Sequence, residues 1–249
     1  MVRWLKALPL ALAIAALSII AISCSSSNSA QVRFVHAIQD ASALDIEVNG
    51  TKVFTDVGFT EFQPAPPAYT SVPSGSDTVE GLATGSTTEA FSNSPVSLAA
   101  GTQYTMVATG FVTSASSVVI MPLADNNTAP ANGSVNFRVI NASPNGPSAV
   151  DVYIVPNPPQ GLGSKTFSGL SYNDPSAYTY VTLPYNSSIP SGQPNYTMFV
   201  TTTGGGNQIF SQTITAGSAS AGAIRTLVLT DRADGTSMND GAIVLNDLN

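Results

Sequence analysis

The chain has 249 residues, only 9% of them charged, and a formal net charge of −7. Its few Lys and Arg residues are scattered, so no basic face is available to phosphates, and nucleic acid is excluded as a partner. With one histidine and one cysteine in the chain, zinc sites and Cys-His catalytic pairs are excluded too. No cofactor is predicted.

The first segment, residues 1–23, is predicted to be a secretory signal peptide. A basic start precedes an apolar run over residues 7–22, which is shorter than the roughly 20 residues that a spanning helix needs. The run ends in Ala-Ile-Ser-Cys at residues 21–24, which resembles the lipobox of bacterial lipoproteins. Cys24 is therefore the predicted lipid attachment site, and residues 24–30 are the predicted flexible tether.

The anchor defines the predicted location. Ser25 follows the cysteine, as in lipoproteins that diderm bacteria export onward, so we expect the cell envelope, with the outer membrane preferred. An acidic chain gains little from docking on anionic lipid, so the lipid on Cys24 would hold the protein at the membrane. The alternative is cleavage near Ser23 or Ala30, which would make Cys24 incidental and the protein freely secreted.

The remainder of the chain predicts two copies of one domain, residues 31–125 and 135–248, joined by a linker over residues 126–134. Five runs recur in the same order, which is the mark of an internal repeat. Val32–Ala37 returns as Phe137–Ala142, Leu44–Val48 as Val150–Ile154, Val72–Gly75 as Ile189–Gly192, Tyr104–Thr109 as Arg225–Thr230, and Ile120–Asp125 as Ile243–Asp247.

Each copy has the pattern of a β-domain. Leu44–Val48 alternates apolar with polar residues, as a half-buried strand does, and Asn49-Gly50 supplies a tight turn into the next strand. Short β-rich runs separated by Gly, Pro, Ser and Asn recur along both copies. The predicted fold class is all-β: two tandem β-sandwich domains of Ig-like or transthyretin-like topology, following the signal peptide.

The opening of each copy also resembles a known family. Residues 32–40 and 138–145, each followed by a strand of the type Asp-x-(Glu/Tyr), look like the start of repeats of domain of unknown function 4397. The first copy departs from the family pattern at Ile38-Gln39, where Ser-Pro is usual. The resemblance implies an exported bacterial protein, commonly with tandem copies and a lipid anchor, and it implies no activity.

The residues give no catalytic pattern, so no enzyme is predicted. His36 has a side chain suited to a general base, but Asn141 stands at the matching place in the second copy. A polar residue that ends the first strand and bonds a neighbouring loop explains both. Arg33 and Arg138 precede the strands bearing Asp45 and Asp151, and if these strands are adjacent we expect Arg–Asp pairs that fix strand register.

Two ligand hypotheses remain open. Oxygen-rich loops suit calcium, and Asp231, Asp234 and Asp240 are the candidate ligands, although such residues are also ordinary turn formers. Tyr178 and Tyr180 would share one strand face by period two, as a possible ligand face for a sugar, although paired rings more often pack across strands.

The predicted function is a non-catalytic, lipid-anchored cell-envelope protein, serving as a display, adhesion or binding module with a polysaccharide or protein partner. The first alternative is a purely structural envelope spacer. The second is a carboxylate-dependent hydrolase, which would need two acids across one cleft.

Overall fold

A computed structural model describes residues 28–190, 192–217 and 222–248. Cys24, the predicted signal peptide and most of the predicted tether lie outside these residues. The regular secondary structure of the described chain is almost wholly β-strand, arranged as sandwiches, so the all-β prediction is confirmed.

The first half of the described chain carries nine strands and one short 3-10 helix, Val112–Ser117. The strands are β1 (Ser29–His36), β2 (Leu44–Val48), β3 (Thr51–Val57), β4 (Phe62–Gln63), β5 (Thr70–Pro73), β6 (Gly75–Ala83), β7 (Glu89–Leu98), β8 (Gln103–Thr109) and β9 (Val119–Ala124).

The second half carries eight strands and a second 3-10 helix, Pro175–Ala177. The strands are β10 (Ser134–Asn141), β11 (Ala149–Pro156), β12 (Phe167–Ser171), β13 (Tyr180–Pro184), β14 (Tyr196–Thr202), β15 (Gln208–Ile214), β16 (Ala223–Asp231) and β17 (Met238–Leu248).

These strands form two sandwiches of corresponding strand order. In the first, the inner sheet has the order β1-β8-β9, and both β4 and β5 pair with the free edge of β1. It faces an outer sheet ordered β3-β2-β6-β7. In the second, an inner sheet ordered β13-β10-β16-β17 faces an outer sheet ordered β12-β11-β14-β15. Strands β1 and β8 are parallel, as are β10 and β16, whereas the other paired strands are antiparallel.

The strand order decides between the two predicted topologies. An Ig-like sandwich places its first two strands in one sheet. Here β1 and β2 lie in different sheets, as do β10 and β11. The arrangement is therefore the transthyretin-like one of the two alternatives.

The two inner sheets pack face to face, so the molecule has four layers of sheet. On β1, Val32 and Phe34 face the first sandwich core, whereas Val35 belongs to the cluster that continues into the second half. Met121 and Leu123 on β9 also join that cluster. Because period two sends alternate residues to opposite faces, the inner strands are buried on both sides and read as nearly continuous apolar runs.

The register corrects one of the five sequence matches. Val72 pairs with Ala30 on β1, and Leu183 occupies the same place opposite Val135 on β10. The counterpart of Val72-Pro73 is therefore Leu183-Pro184. The predicted match to Ile189-Pro190 rested on a repeated Pro-Ser-Gly turn sequence, and a turn of that composition forms in many places.

Amide side chains close one open edge of each sandwich. Asn93 on β7 donates to Val118 O at 2.9 Å and accepts from Ile120 N at 2.7 Å. Gln212 on β15 donates to Ala242 O at 3.3 Å and accepts from Ala242 N at 2.6 Å. Each amide thus pairs with an edge strand of the inner sheet as a neighbouring strand would, and covers backbone groups that would otherwise recruit another chain.

Candidate functional site

The junction between the two inner sheets holds a buried cluster of charges, here called the junction cluster: Arg33, Asp125, Arg138 and Asp247. Arg33 Nη2 lies 2.5 Å from Asp247 Oδ1, and Arg138 Nη2 lies 2.5 Å from Asp125 Oδ1. Each arginine therefore pairs with the carboxylate of the other half. Arg33 also reaches Asp125 Oδ2 at 3.5 Å, so the four charges form one network and sum to zero.

A threonine from each half orients the carboxylates. Thr105 Oγ1 donates to Asp125 at 2.7 Å, and Thr226 Oγ1 donates to Asp247 at 2.6 Å. These hydroxyls in turn accept from the guanidinium groups, Thr105 from Arg33 at 2.9 Å and Thr226 from Arg138 at 3.1 Å. The same residue types are therefore bonded together in both halves.

Two tyrosine rings cover the arginines. Tyr69 lies 4.9 Å below the guanidinium carbon of Arg33, and Tyr180 lies 4.8 Å from that of Arg138. Both distances are within the range of cation–π attraction. Burial acts to lower the pKa of Arg138, but Asp125, Tyr180 and Asp247 together raise that pKa above its ordinary value. Arg138 therefore keeps its charge in the interior.

The cluster replaces the predicted Arg–Asp pairing within each copy, which is wrong. Asp45 instead pairs with Lys52 at 2.6 Å and Asp151 with Lys165 at 2.7 Å. The physical reason is the sheet assignment: the arginines lie on inner strands β1 and β10, and the aspartates lie on outer strands β2 and β11. Strands in different layers do not share a register.

Asp45 and Asp151 instead hold loops. Asp151 accepts hydrogen bonds from the backbone N–H groups of Gly169, Gly204 and Gly205, at 2.9, 2.8 and 3.3 Å. Burial acts to raise its pKa, but Lys165 and these N–H groups lower it to about 2. Asp45 is bound in the same way.

Asp45 accepts hydrogen bonds from the backbone N–H groups of Asp56 and Gly85. Lys52 is the main cause of its lowered pKa. Each aspartate thereby ties together neighbouring hairpins of its outer sheet.

His36 and Asn141 both accept a hydrogen bond from the loop that follows their strand, whereas they donate to different elements. His36 Nδ1 accepts from Ile38 N at 3.2 Å and its Nε2 donates to Ser42 O at 3.2 Å. Asn141 Oδ1 accepts from Ser143 N at 3.2 Å and its Nδ2 donates to Leu170 O at 3.1 Å. Burial lowers the pKa of His36 to about 4. The imidazole is therefore neutral at neutral pH and is spent on loop bonds, as the sequence interpretation proposed.

Of the calcium candidates, Asp231 is buried, and burial raises its pKa despite its hydrogen bonds. Its carboxylate accepts bonds from the Ser143 hydroxyl and from the backbone and side chain of Asn145. Asp234 is exposed and caps its own turn through Thr236. Asp240 lies in β17, but its side chain is not among those described.

No group of three or more His, Cys, Asp or Glu side chains placed to hold a metal occurs in residues 28–190, 192–217 and 222–248.

The predicted tyrosine face is arranged differently. The 3-10 helix Pro175–Ala177 ends just before Tyr178, so period two does not apply between Tyr178 and Tyr180. Tyr178 is buried, and its hydroxyl donates to the backbone carbonyls of Asn141 or Ser171. Burial raises its pKa to about 12. Tyr180 packs on Arg138. The two rings serve the loop and the junction, and do not form one open stacking surface.

The loops bonded by the aspartates, His36 and Asn141 lie at one end of the molecule, here called the loop end. Its loops are residues 37–43, 58–61, 84–88, 110–118, 142–148, 172–179, 203–207 and 232–237. The strand directions place them together within each half, and Thr109 Oγ1 donates to Ala142 O at 2.8 Å across the halves. The described chain starts at the opposite end, where Ser74 N donates to Asn28 O.

An open cleft of about 580 Å³, here called the junction cleft, lies at that opposite end. It is lined by Gln31, residues 101–103 and residues 125–128. Asp125 connects it to the junction cluster. Sequence reasoning did not bring Asp125, Asp247 and the paired threonines together, although the repeated run ending in Asp in both copies carried the signal.

The described residues contain no helix that is both long and apolar enough to cross a membrane.

Residues 30–153 match the family Domain of unknown function (DUF4397). The match begins at the first residues of β1 and ends within β11, so it covers the first sandwich and the opening strands of the second. It confirms the resemblance over this segment.

A solved structure with some likeness is the carbohydrate-binding module CBMbc (family CBM26) of Amy13K from Eubacterium rectale, in complex with maltoheptaose. The identity is 10% over 89% of this chain and 98% of that one, with a TM-score of 0.26. No curated protein matches the chain.

Proposed function

We propose that the protein is a non-catalytic, lipid-anchored binding module of the bacterial cell envelope, which presents its loop end to a polysaccharide or protein partner. One observation supports this most directly. The polar residues of the repeated opening motif bond to loops at a single end: His36 to Ser42 O, Asn141 to Ser143 N, Asp45 to Gly85 N and Asp151 to Gly204 N. Loops fixed by a rigid scaffold are a common form of binding surface.

The anchor would lie at the other end. Cys24 is four residues before Asn28, a reach of about 14 Å at most for an extended chain. A lipid on Cys24 would therefore hold the start of β1 close to the membrane and direct the loop end away from it. The outer membrane remains the proposed site.

The junction cluster supports presentation by a rigid body. Buried charge pairs add little net stability, but they penalise every arrangement in which one partner is left alone. Arg33 and Arg138 each bond across the two halves, so we expect the halves to keep one orientation. This rigidity equally suits a structural spacer.

The hydrolase alternative is not favoured. In the described residues, the carboxylates of Asp45, Asp151 and Asp231 are occupied by lysine, backbone or side-chain donors. A general acid would need a carboxyl group held protonated in an open cleft.

Two experiments test the proposal. Palmitate labelling and membrane fractionation of wild type beside Cys24→Ala tests the anchor: we expect label and membrane retention to disappear together. A wild-type protein that carries the label but remains soluble would contradict the proposed anchor. A Cys24→Ala protein that still carries the label would also contradict it.

Co-sedimentation with isolated envelope polysaccharide tests the loop end. Asp40 holds the loop at Val112 and Thr113 through their backbone N–H groups. Asp40→Ala should therefore weaken binding, and Gln160→Ala, on a loop at the opposite end, should not. Failure of wild type to bind polysaccharide or any purified envelope protein would leave the spacer as the better account.

A further inference from the structure

The junction cleft is a second site, separate from the loop end. We propose that it binds a neutral, hydroxyl-rich ligand, that is, a saccharide. Its volume of about 580 Å³ lies within the usual range for small-molecule sites. The lining is polar, so a ligand would be held by hydrogen bonds rather than by burial of apolar surface.

The lining side chains are of one chemical kind. Apart from Asp125 and a glycine, every lining residue carries an amide or a hydroxyl group: Gln31, Thr102, Gln103, Asn126, Asn127 and Thr128. An amide offers both donors and an acceptor, and a hydroxyl offers both roles. Sugar hydroxyl groups need such mixed donors and acceptors at short spacing.

Charge selects against ionic ligands. No Lys or Arg side chain lines the cleft, so an anion would meet no counter-charge. Asp125 is the one charged lining residue, and its carboxylate is already bonded by Arg138 and reached by Arg33. A cation would therefore meet a carboxylate whose charge is balanced. A neutral ligand remains.

A hydrogen-bond relay fixes the cleft before any ligand arrives. Tyr69 donates to Asp125 Oδ2 at 2.7 Å and accepts from Asn127 Nδ2 at 2.8 Å. The same Asn127 amide donates to Gln103 Oε1 at 2.9 Å. The relay runs from the buried arginines to the cleft surface, so little entropy is lost in ordering these groups on binding.

Open hydrogen-bonding groups remain for the ligand. Within the described residues, none bonds to the side-chain amide of Gln31 or to the hydroxyl groups of Thr102 and Thr128. Without a ligand these groups hydrogen-bond to water, and sugar hydroxyl groups can replace that water.

The saccharide has two possible sources, a free glycan chain or the headgroup of a glycolipid. The test therefore has two arms, both with the purified full chain. In the first, ¹⁵N-labelled protein is titrated with cellohexaose, maltohexaose and tetra-N-acetylchitotetraose. In the second, it is sedimented with phosphatidylcholine liposomes with and without digalactosyl diacylglycerol.

We expect backbone amide shifts confined to residues 101–103 and 126–128, or glycolipid-dependent sedimentation. Gln31→Leu and the isosteric Thr102→Val should each weaken binding by about tenfold, the value of one hydrogen bond. Gln160→Leu, which lines a different and more apolar pocket, is the matched control.

Absence of shifts and of sedimentation with every probe would overturn the proposal, as would binding that both cleft variants leave unchanged. Asp40→Ala, at the loop end, should bind these probes as wild type does. The two sites can therefore fail independently.

Discussion

His36 offers a direct measure of how the fold uses its motif residues. Its imidazole has a pKa of about 4 in the folded chain, against an ordinary value of 6.5, because burial opposes the charged form. The unfolded chain therefore binds a proton that the folded chain does not bind between these pH values. Stability should fall as the pH drops through this window, by about 3 kcal/mol in all.

Substitution of His36 by Asn, the residue that the second half uses at the same place, should remove this dependence. The variant keeps an acceptor for Ile38 N, as Asn141 accepts from Ser143 N in its own loop. It also keeps a side-chain donor, which Asn141 uses on Leu170 O of β12. We expect urea unfolding of wild type to lose about 3 kcal/mol more than His36→Asn between about pH 7 and about pH 4.

Glu61 acts on the imidazole by charge, and it is present in both proteins. The reciprocal Asn141→His is the control, since it should introduce a similar dependence in the second half. Equal pH slopes for wild type and His36→Asn would refute the reasoning, because they would mean that the folded chain protonates His36 as readily as the unfolded one.

The remaining predictions concern other parts of the fold. Arg138→Met should reduce the free energy of unfolding by about 3–5 kcal/mol because it leaves Asp125 buried without its nearest partner. Adding Asp125→Leu should recover much of this loss. A double variant no more stable in urea than Arg138→Met would argue against this prediction. The folded pKa of Asp151 lies below its unfolded value, so wild type should lose stability as the pH falls from about 4 to about 2. Asp151→Asn should not show this loss. Circular dichroism across this pH range tests the prediction, and identical acid profiles of the two proteins would count against it. Gln212→Ala should uncover the backbone of Ala242 and increase self-association, which sedimentation velocity would detect; a monomer at all concentrations would show that the amide does not protect the edge.

The sequence determined the local elements. Alternation such as that of Leu44–Val48 states which residues face the core, and Asn49-Gly50 states where the chain reverses, because both depend only on neighbours. The equivalence of His36 and Asn141 could likewise be inferred, since a strand-ending polar residue bonds to the loop that follows it. These interactions are short in sequence.

Only the tertiary structure decided which distant groups meet. Arg33 and Asp247 are 214 positions apart, and their pairing depends on how two inner sheets stack, which alternation does not encode. The same holds for the junction cleft, whose walls come from β1, from the turn that leads into β8 and from the linker. Tyr178 and Tyr180 show the converse case, because a short 3-10 helix broke the strand period on which their shared face depended.

Arg33 and Asp45 show the boundary between the two kinds of information. Both residue types recur at matching places in a chain poor in charge, so the sequence correctly marks them as structural. Their partners were predicted wrongly because each sandwich places its first two strands in different sheets. A charged side chain buried between layers takes the partner that the layer opposite supplies, and the layer opposite is set by packing of the whole fold.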